Sequence, residues 1–291
     1  MIAVTRAVPL SINRCELTHL SRAPIDYARA VREHAAYEAA LAGLGCRVER
    51  LPEAPDLPDS VFVEDAAVVF DELAVMARPG ARSRRPEVAA MAAALGPHRP
   101  LAFVEAPGTL DGGDVLVTPG KVFVGISGRT NEDGRRQLAA FVAPYGFEVI
   151  AVPVSGCLHL KSAVTVARLR QGSGAAGHRL RQGSGAAGHL SRQGSGRAGR
   201  ETTLVINPGW AEVRHFEEFD LIEVDPSEPA AANVLRIGEH VICAEEHPKT
   251  RRRLDAHGLV TQSVPAGELA KAEGGVTCCS VMVSITATSR V

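Results

Sequence analysis

Four positions of the sequence carry side chains that could act together in covalent catalysis, and each stands at or just before a stretch typical of a β-strand. They are Glu64 with Asp65, Asp111, His159 and Cys278. A thiolate is the strongest nucleophile that side chains offer, an imidazole can shuttle a proton, and a carboxylate can orient that imidazole. We therefore expect a cysteine nucleophile, provided that the fold brings the four positions together.

The stretches that must position these residues repeat as two strands, a helix and a third strand. Four units are predicted within residues 64–105, 114–152, 162–206 and 233–264. A fifth unit is split, because strand 276–285 needs a partner and strand 2–8 at the other terminus supplies one. Helices are predicted near residues 26–44, 84–95, 131–143 and 249–257. The pattern predicts an α/β fold.

The spacing of the units indicates a ring. Their first strands are predicted to start at Asp65, Asp114, Ser162, Asn233 and Cys279. These positions are 49, 48, 71 and 46 residues apart, and the third interval becomes 38 without an insertion of 33 residues. A closed ring places the starts of all first strands at one end of a central channel, as in propellers. The four catalytic positions are therefore expected to converge there.

The insertion is a basic repeat at residues 168–200. It consists of three units of eleven residues, two of them RLRQGSGAAGH, with seven Arg and no acidic residue, so the other 258 residues carry a charge of −8. Segments so rich in Gly and Ser cannot bury an apolar face, which predicts a flexible insertion in a hairpin turn. A role in binding nucleic acid is the alternative for such an Arg-Gly segment, but no aromatic residues are interleaved.

The composition is that of an ordinary globular protein. The chain has 291 residues, 45% of them hydrophobic and 22% charged, and we expect one catalytic domain over residues 1–291. Apolar runs long enough for a membrane span or a secretory signal are missing, so a cytoplasmic location is expected. The six cysteines show neither a CxxC pair nor zinc-type spacing. We expect neither a metal site nor a disulfide framework, and structural roles for Cys15, Cys46, Cys157 and Cys243.

The sequence resembles the dimethylarginine dimethylaminohydrolases of the guanidine-modifying, or pentein, superfamily. The matching blocks are PDSVFVEDAAVV (58–69), RPGARSRR (78–85), APGTLDGGDVL (106–116), SGRTNEDG (127–134), LHLKS (158–162), AANVL (231–235) and GGVTCCSV (274–281). The resemblance covers nearly the whole chain except the repeat. It implies a five-bladed α/β propeller and hydrolysis of methylated arginine to citrulline and methylamines.

The resemblance also implies roles for single residues. Cys278 matches the nucleophile, His159 the general acid and base, and Asp111 the carboxylate that positions the histidine, although some relatives have Glu there. Asp59, Glu64 and Asp65 match acids that line the guanidinium site. Arg84 and Arg129 match residues that hold the amino-acid end of the substrate, and Leu17 falls in a mobile loop that covers the site in relatives. No metal, nucleotide or organic cofactor is implied.

Several alternatives stay open at this stage. Arginine deiminases and other guanidine-modifying hydrolases share the nucleophile, histidine and acids, and a non-catalytic regulatory member of the fold is a third possibility. Asp114 is expected to be structural, and Cys279 is expected to face the core because successive side chains of a strand alternate. Partners are expected to be limited to the small substrate, without nucleic acid or membrane, for a monomer or a homodimer.

Overall fold

The computed structural model describes residues 1–169 and 202–285. In its first part the strands are β1 (Ile2–Arg6), β2 (Arg47–Leu51), β3 (Ala67–Val69), β4 (Ala74–Met76), β5 (Leu101–Phe103), β6 (Val115–Thr118), β7 (Lys121–Ile126), β8 (Glu148–Pro153) and β9 (Val164–Leu169). The helices there are α1 (Tyr27–Gly43), α2 (Glu87–Leu95), α3 (Glu132–Val142) and the single turn α4 (Leu160–Ala163).

The part after the basic repeat contains the remaining elements. Its strands are β10 (Thr202–Ile206), β11 (Asp220–Glu223), β12 (Leu235–Ile237), β13 (His240–Ala244), β14 (Val260–Val264) and β15 (Val281–Val283), and its helices are α5 (Pro248–Ala256) and the single turn α6 (Gly267–Ala270). The predicted α/β fold is confirmed. None of the helices in the described residues is long and apolar enough to cross a membrane.

The strands form five sheets of three strands each. In every sheet the middle strand is antiparallel to one neighbour and parallel to the other. The sheets are β15-β1-β2, β3-β4-β5, β6-β7-β8, β9-β10-β11 and β12-β13-β14. The first of them joins the two termini, as the sequence predicts, because β15 pairs with β1 through Val4 opposite Val281.

Hydrophobic packing joins each sheet to the next along the chain. Met76 of β4 and Val281 of β15 belong to one buried hydrophobic cluster, Val68 of β3 and Val115 of β6 to a second, and Phe123 of β7 and Leu204 of β10 to a third. Two further clusters join β10 to β13 and β13 to β1. Burial of these apolar faces is the main force that holds such short strands together.

The first strands begin one or two residues later than the sequence predicts. Their observed starts are Ala67, Val115, Val164, Leu235 and Val281. The residues just before them form tight turns, Val63–Ala66, Gly112–Asp114, Leu160–Ala163 and Pro229–Ala232, and a further turn over 276–279. Cys278 and Cys279 therefore lie in a turn and not in a strand, which corrects the alternation predicted for Cys279.

The helices lie close to their predicted positions. Asp26 caps α1 by accepting a hydrogen bond from the Arg29 N–H at 3.0 Å, and Asn131 caps α3 through the Gly134 N–H at 2.8 Å. The helix predicted from residue 84 begins at Glu87, after a separate turn at Arg82–Arg84. Polar capping residues thus mark the starts of α1 and α3. The start of α2 instead follows a turn that holds Arg84, whose tertiary contacts are described below.

The basic repeat connects two strands that pair with each other. Strand β9 is antiparallel to β10, and Leu169 lies opposite Thr202 at the end of the ladder. Residues 170–201 lie outside the described residues, so the flexible conformation predicted for the repeat stays a prediction. The register of the two strands explains where an insertion can be accommodated, because lengthening a hairpin connection costs little loop entropy.

Candidate active site

The turns that precede the strands bring most of the predicted site residues to one small cavity. Its walls include Asp65, His159 and Cys278, and we call it the catalytic cavity. Its volume, counted together with its open side, is about 310 Å³. Asp111 is fully buried directly behind His159. The expectation that the catalytic positions converge therefore agrees with the geometry of the described residues.

The imidazole of His159 is held between two carboxylates. Its Nε2 lies 3.0 Å from Oδ2 of Asp111, and its Nδ1 lies 3.6 Å from Oδ1 of Asp65. Asp111 is itself fixed, because its Oδ1 accepts a hydrogen bond of 2.9 Å from the Gly80 N–H. Burial alone would lower the pKa of His159, but the charge of Asp65 and the bond to Asp111 raise that pKa to about 9. The ring is therefore an imidazolium at neutral pH.

Gly113, two residues after Asp111, lies so close to the imidazole of His159 that a side chain here would collide with it. A Cβ on Gly113 would lie 2.7 Å from Nδ1 of His159 and 2.6 Å from Oδ1 of Asp65. The Gly113 N–H also donates to Oδ1 of Asp65 at 3.0 Å. The TLDGGD motif thus provides a carboxylate and a bare backbone against which the imidazole packs.

Cys278 faces the catalytic cavity with its thiol protonated. Burial raises the pKa of Cys278 to about 12, and the charges of Glu64 and Asp65 add to the effect. In the described part of the chain Cys278 and His159 share no hydrogen bond, and both line the catalytic cavity. Cys279 turns away and lines a different cavity with Tyr37, as the predicted core role requires.

The two predicted guanidinium-binding acids on the cavity already have polar partners. Oδ2 of Asp65 lies 2.5 Å from Nη1 of Arg84, and these charges together with His159 lower the pKa of Asp65 to about 2, against the effect of burial. Burial instead raises the pKa of Asp59. Its carboxylate accepts the Glu16 N–H at 3.1 and 3.2 Å.

The two predicted arginines line the cavity in different ways. Arg84 is 3% exposed, and its guanidinium is bound to Asp65, to Glu87 at 2.8 Å and to the carbonyl oxygens of residues 59 and 62. Arg129 is only partly buried, and its Nη2 donates to Oγ1 of Thr18 at 3.2 Å. Arg84 is therefore built into the wall, whereas Arg129 stands at the entrance.

Glu64 does not line the catalytic cavity. It lies in the wall of a second cavity, lined largely by strand side chains such as Val115 and Val281, which we call the strand cavity. There its carboxylate pairs with Nζ of Lys161 at 2.6 Å and accepts a hydrogen bond of 2.8 Å from Oγ1 of Thr277. Glu64 acts on Cys278 through its charge, and its N–H donates to the Cys278 carbonyl at 3.1 Å.

The loop that contains Leu17 is held over the catalytic cavity by Glu273. The Glu273 carboxylate accepts hydrogen bonds from the N–H groups of Thr18 at 3.0 Å, His19 at 2.5 Å and Leu20 at 2.6 Å. Glu273 has a φ of 59°, a conformation that is uncommon for residues other than glycine. Leu17 packs partly buried against the core beneath this loop.

Sequence reasoning did not assign roles to two residues that touch this site. Glu273 stands immediately before the GGVTCCSV block, and only its position beside two glycines could have drawn attention to it. Asn233 lies in the AANVL block, and its Nδ2 is 3.0 Å from Oγ1 of Thr277 and 3.9 Å from Sγ of Cys278. Both residues act through contacts across more than forty positions of the chain.

The ligand atoms of Asp65, Asp111 and His159 lie within 4.8 Å of one another, close enough to share a cation. The positive charges found among the described residues at this cluster are Arg84, 2.5 Å from Asp65, and the imidazolium of His159. The cluster is thus arranged around side-chain cations.

Comparison with known proteins gives several close likenesses. The chain is 39% identical over 268 residues to N(G),N(G)-dimethylarginine dimethylaminohydrolase from Streptomyces coelicolor, covering 91% of this chain and 90% of that protein. It is 30% identical to the enzyme of the same name from Pseudomonas aeruginosa, covering 88% and 89%. No family model matches the sequence.

Solved structures show the same likeness in three dimensions. A cysteine-to-serine variant of the Pseudomonas aeruginosa protein in complex with citrulline has a TM-score of 0.80 at 28% identity and covers 96% of this chain and 97% of that one. The N-terminal domain of the cyanobacterial arginine dihydrolase ArgZ, bound to a reaction intermediate, has a TM-score of 0.74 at 16% identity, covering 97% of each chain, and shares the fold.

Proposed function

The chain belongs to the dimethylarginine dimethylaminohydrolase family, and on that premise we propose that it hydrolyses Nω-methylated arginine to citrulline and methylamine or dimethylamine through a covalent cysteine intermediate. The observation that carries the proposal is the single cavity shared by the thiol of Cys278, the imidazole of His159 and the carboxylate of Asp65. The enzyme is a hydrolase of C–N bonds in linear amidines.

Substrate recognition follows from charge and shape. A guanidinium is a planar cation with a fork of N–H donors, and each charge-assisted bond to a carboxylate contributes about 1.5–3 kcal/mol. Asp59 and Asp65 supply the carboxylates on the cavity, and Glu64 adds negative charge from behind. Arg129 at the entrance takes the substrate carboxylate, with Arg84 contributing its charge from the wall. The Leu17 loop closes over the amino-acid end.

Binding of the cationic substrate activates the nucleophile. Before substrate binds, burial and the charges of Glu64 and Asp65 keep the thiol of Cys278 protonated. A guanidinium that binds beside the sulfur places a positive charge next to it, which lowers the pKa of the thiol, and the proton is released to solvent. The imidazolium of His159 keeps its proton for the next step.

The first half of the reaction breaks the C–N bond. The sulfur of Cys278 attacks the guanidinium carbon, and the resulting C–S bond gives a tetrahedral adduct. His159 donates its proton to the methylated nitrogen, and the C–N electron pair leaves with neutral dimethylamine. An S-alkylthiouronium remains on Cys278, and Asp65 and Asp111 stabilise the ring of His159 in its changing charge states.

The second half restores the enzyme. Neutral His159 takes a proton from a water molecule as its oxygen attacks the same carbon. Collapse of this adduct breaks the C–S bond, and the proton of the added hydroxyl group passes to the departing sulfur. This step leaves the neutral ureido group of citrulline and restores the thiol of Cys278. The net reaction consumes one water and exchanges the methylated amine for the carbonyl oxygen.

The five sheets are proposed to be the blades of one closed propeller. The proposal is supported by five hydrophobic clusters, each shared by two sheets that follow one another along the chain, with the last joining β13 to β1. A closed ring explains how turns distant in sequence reach one cavity. We also propose that the chain forms a single catalytic domain, that the protein is cytoplasmic and that it is a monomer or a homodimer.

The proposal is tested by citrulline release from asymmetric dimethylarginine, monomethylarginine and unmethylated arginine measured in parallel. Turnover of the methylated substrates is expected, with a Cys278→Ser variant as the control for covalent catalysis. Preference for unmethylated arginine would instead assign the chain the activity of an arginine deiminase. Absence of turnover on all three substrates by correctly folded protein would favour a non-catalytic, regulatory role.

A further inference from the structure

A third cavity adjoins the catalytic cavity, and no role in the reaction above uses it. The two share walls at Leu158, Glu273 and Gly274. The third cavity, which we call the side chamber, encloses about 860 Å³ including its open side. Asn233 also lines it and brings its Nδ2 to 3.9 Å from the sulfur of Cys278. The side chamber therefore begins next to the reacting atoms.

The walls of the side chamber are mainly apolar and closely built. Gly156 has a φ of 76°, and a Cβ at this position would lie 2.8 Å from Cδ1 of Trp210. The indole therefore lies directly on the backbone, which fixes it as one wall. Further apolar surface comes from Ala270 at the end of α6 and from Leu20. Leu20 belongs to the loop that contains Leu17, which we call the covering loop.

The charged groups of the side chamber are acidic. Glu246 and Glu273 line it, and none of the described lining residues is Lys or Arg. The Glu246 carboxylate accepts only weak bonds of 3.2 and 3.3 Å from the Ala266 N–H among the described contacts. His247, the next residue along the chain, has a pKa lowered by burial, and Arg29, which is not part of the lining, interacts electrostatically with Glu246. An aromatic face in a cavity that also carries carboxylates attracts a small organic cation.

The covering loop is attached to the rim of the catalytic cavity. The Glu16 N–H donates to Asp59, and Nη2 of Arg129 donates to Oγ1 of Thr18. A leaving amine released beside His159 has apolar methyl groups, and it becomes a cation once it takes up a proton. The chemistry of the side chamber matches both properties.

We propose that the side chamber holds the N-alkyl group of the substrate and receives the released alkylammonium ion before the covering loop opens. This inference rests on the proposed function, because it concerns the fate of the leaving amine. It assigns a chemical class of ligand, small alkylammonium ions, to a cavity lined by Trp210 and Glu246. It also assigns the side chamber the selection of substrates by the size of their N-alkyl group.

Binding to the side chamber can be measured without turnover. Trp210 is the only tryptophan of the chain, so intrinsic tryptophan fluorescence reports on this wall alone. Titration with n-butylammonium chloride is expected to give a saturable change that neither 1-butanol nor sodium chloride produces. Glu246→Gln is expected to weaken binding at least about threefold, whereas Glu245→Gln, an exposed neighbour outside the lining, is expected to leave it unchanged.

A substrate series provides the second test. Wild-type protein is expected to turn over Nω-methyl, Nω-ethyl, Nω-propyl and Nω-butyl arginine with kcat/KM falling less than about tenfold. Ala270→Trp is expected to reduce kcat/KM for the butyl substrate about tenfold more than for the methyl substrate. The matched control is Ala256→Trp at the exposed end of α5.

The outcomes separate the two proposals. Absence of turnover of the methyl substrate contradicts the proposed function, whatever the fluorescence shows. Normal turnover of the methyl substrate with equal responses to butylammonium and butanol overturns the side chamber proposal, as does an unchanged size profile in folded Ala270→Trp protein. If that variant fails to fold, the fluorescence titration of the wild-type and Glu246→Gln proteins decides alone.

Discussion

The catalytic cavity and the strand cavity lie on the two sides of the turn that contains Cys278, and they differ in how their walls are made. The catalytic cavity is lined by residues of loops and turns, such as His159 and Asp65, whereas the strand cavity is lined largely by residues of β3, β6, β9, β12 and β15. Turns can present any side chain without disturbing a ladder, whereas strands alternate apolar residues. The reactive side chains of this protein therefore lie in the turns that precede the strands.

The largest effect on turnover is expected at the nucleophile of the catalytic cavity. Cys278→Ser is expected to reduce turnover at least about 10⁴-fold, because a hydroxyl is a far weaker nucleophile than a thiolate. The fold is expected to be retained, since the replacement is nearly the same size. Citrulline release together with thermal unfolding checks both statements. Measurable turnover near the wild-type rate would remove the covalent mechanism.

The protonation state of Cys278 distinguishes the catalytic cavity from an ordinary cysteine environment. Its pKa of about 12 lies above neutral pH, so the thiolate fraction of the free enzyme rises as the pH rises. The rate of alkylation of Cys278 by iodoacetamide is expected to increase about 10³-fold between pH 7 and 10, measured by mass spectrometry of the modified peptide. A rate that is already maximal at pH 7 would contradict the raised pKa.

Asp111 lies behind the catalytic cavity and acts on the reaction only through His159. Asp111→Asn is expected to lower kcat about 10²-fold by releasing the ring. Loss of the negative charge also lowers the pKa of His159 below about 9. Because the imidazolium is the form that protonates the amine, the alkaline fall of kcat/KM is expected to move to lower pH. An unchanged pH profile with reduced stability would make Asp111 merely structural.

The ion pair in the strand cavity is expected to matter mainly for stability. Lys161→Met leaves Glu64 without its partner at 2.6 Å, in a site where the two side chains are 17% and 11% exposed. The free energy of unfolding is expected to fall by about 2 kcal/mol, measured by urea denaturation. The matched control, Lys121→Met, breaks an equally short but exposed pair with Glu218 and is expected to cost less than about 1 kcal/mol.

The smallest effect is expected at the basic repeat. Leu169, where the described part of β9 ends, lines the strand cavity and is absent from the lining of the catalytic cavity. Replacing residues 170–201 by Asn-Gly, which suits a two-residue hairpin turn, is expected to change kcat/KM less than about twofold. A larger change, or altered association in solution, would give the repeat a role at the active site or in partner binding.

Local patterns were enough to predict most secondary structure and the five groups of strands that form the sheets. Alternating apolar residues indicated the strands, and Asp26 and Asn131 marked two helix starts where they cap α1 and α3. The predicted starts of the first strands were wrong by one or two residues. Short turns are fixed by contacts such as that of Gly113 with Asp65, which no local pattern contains.

The sequence by itself determined which chemical groups are available: a thiol, an imidazole and several carboxylates at the ends of turns. Only the tertiary structure decided which cavity each one faces. Glu64 and Asp65 are adjacent in the chain, yet one pairs with Lys161 in the strand cavity and the other with Arg84 beside His159. Such pairings join residues from distant turns, and a side chain's direction there follows from the partner that compensates its buried charge.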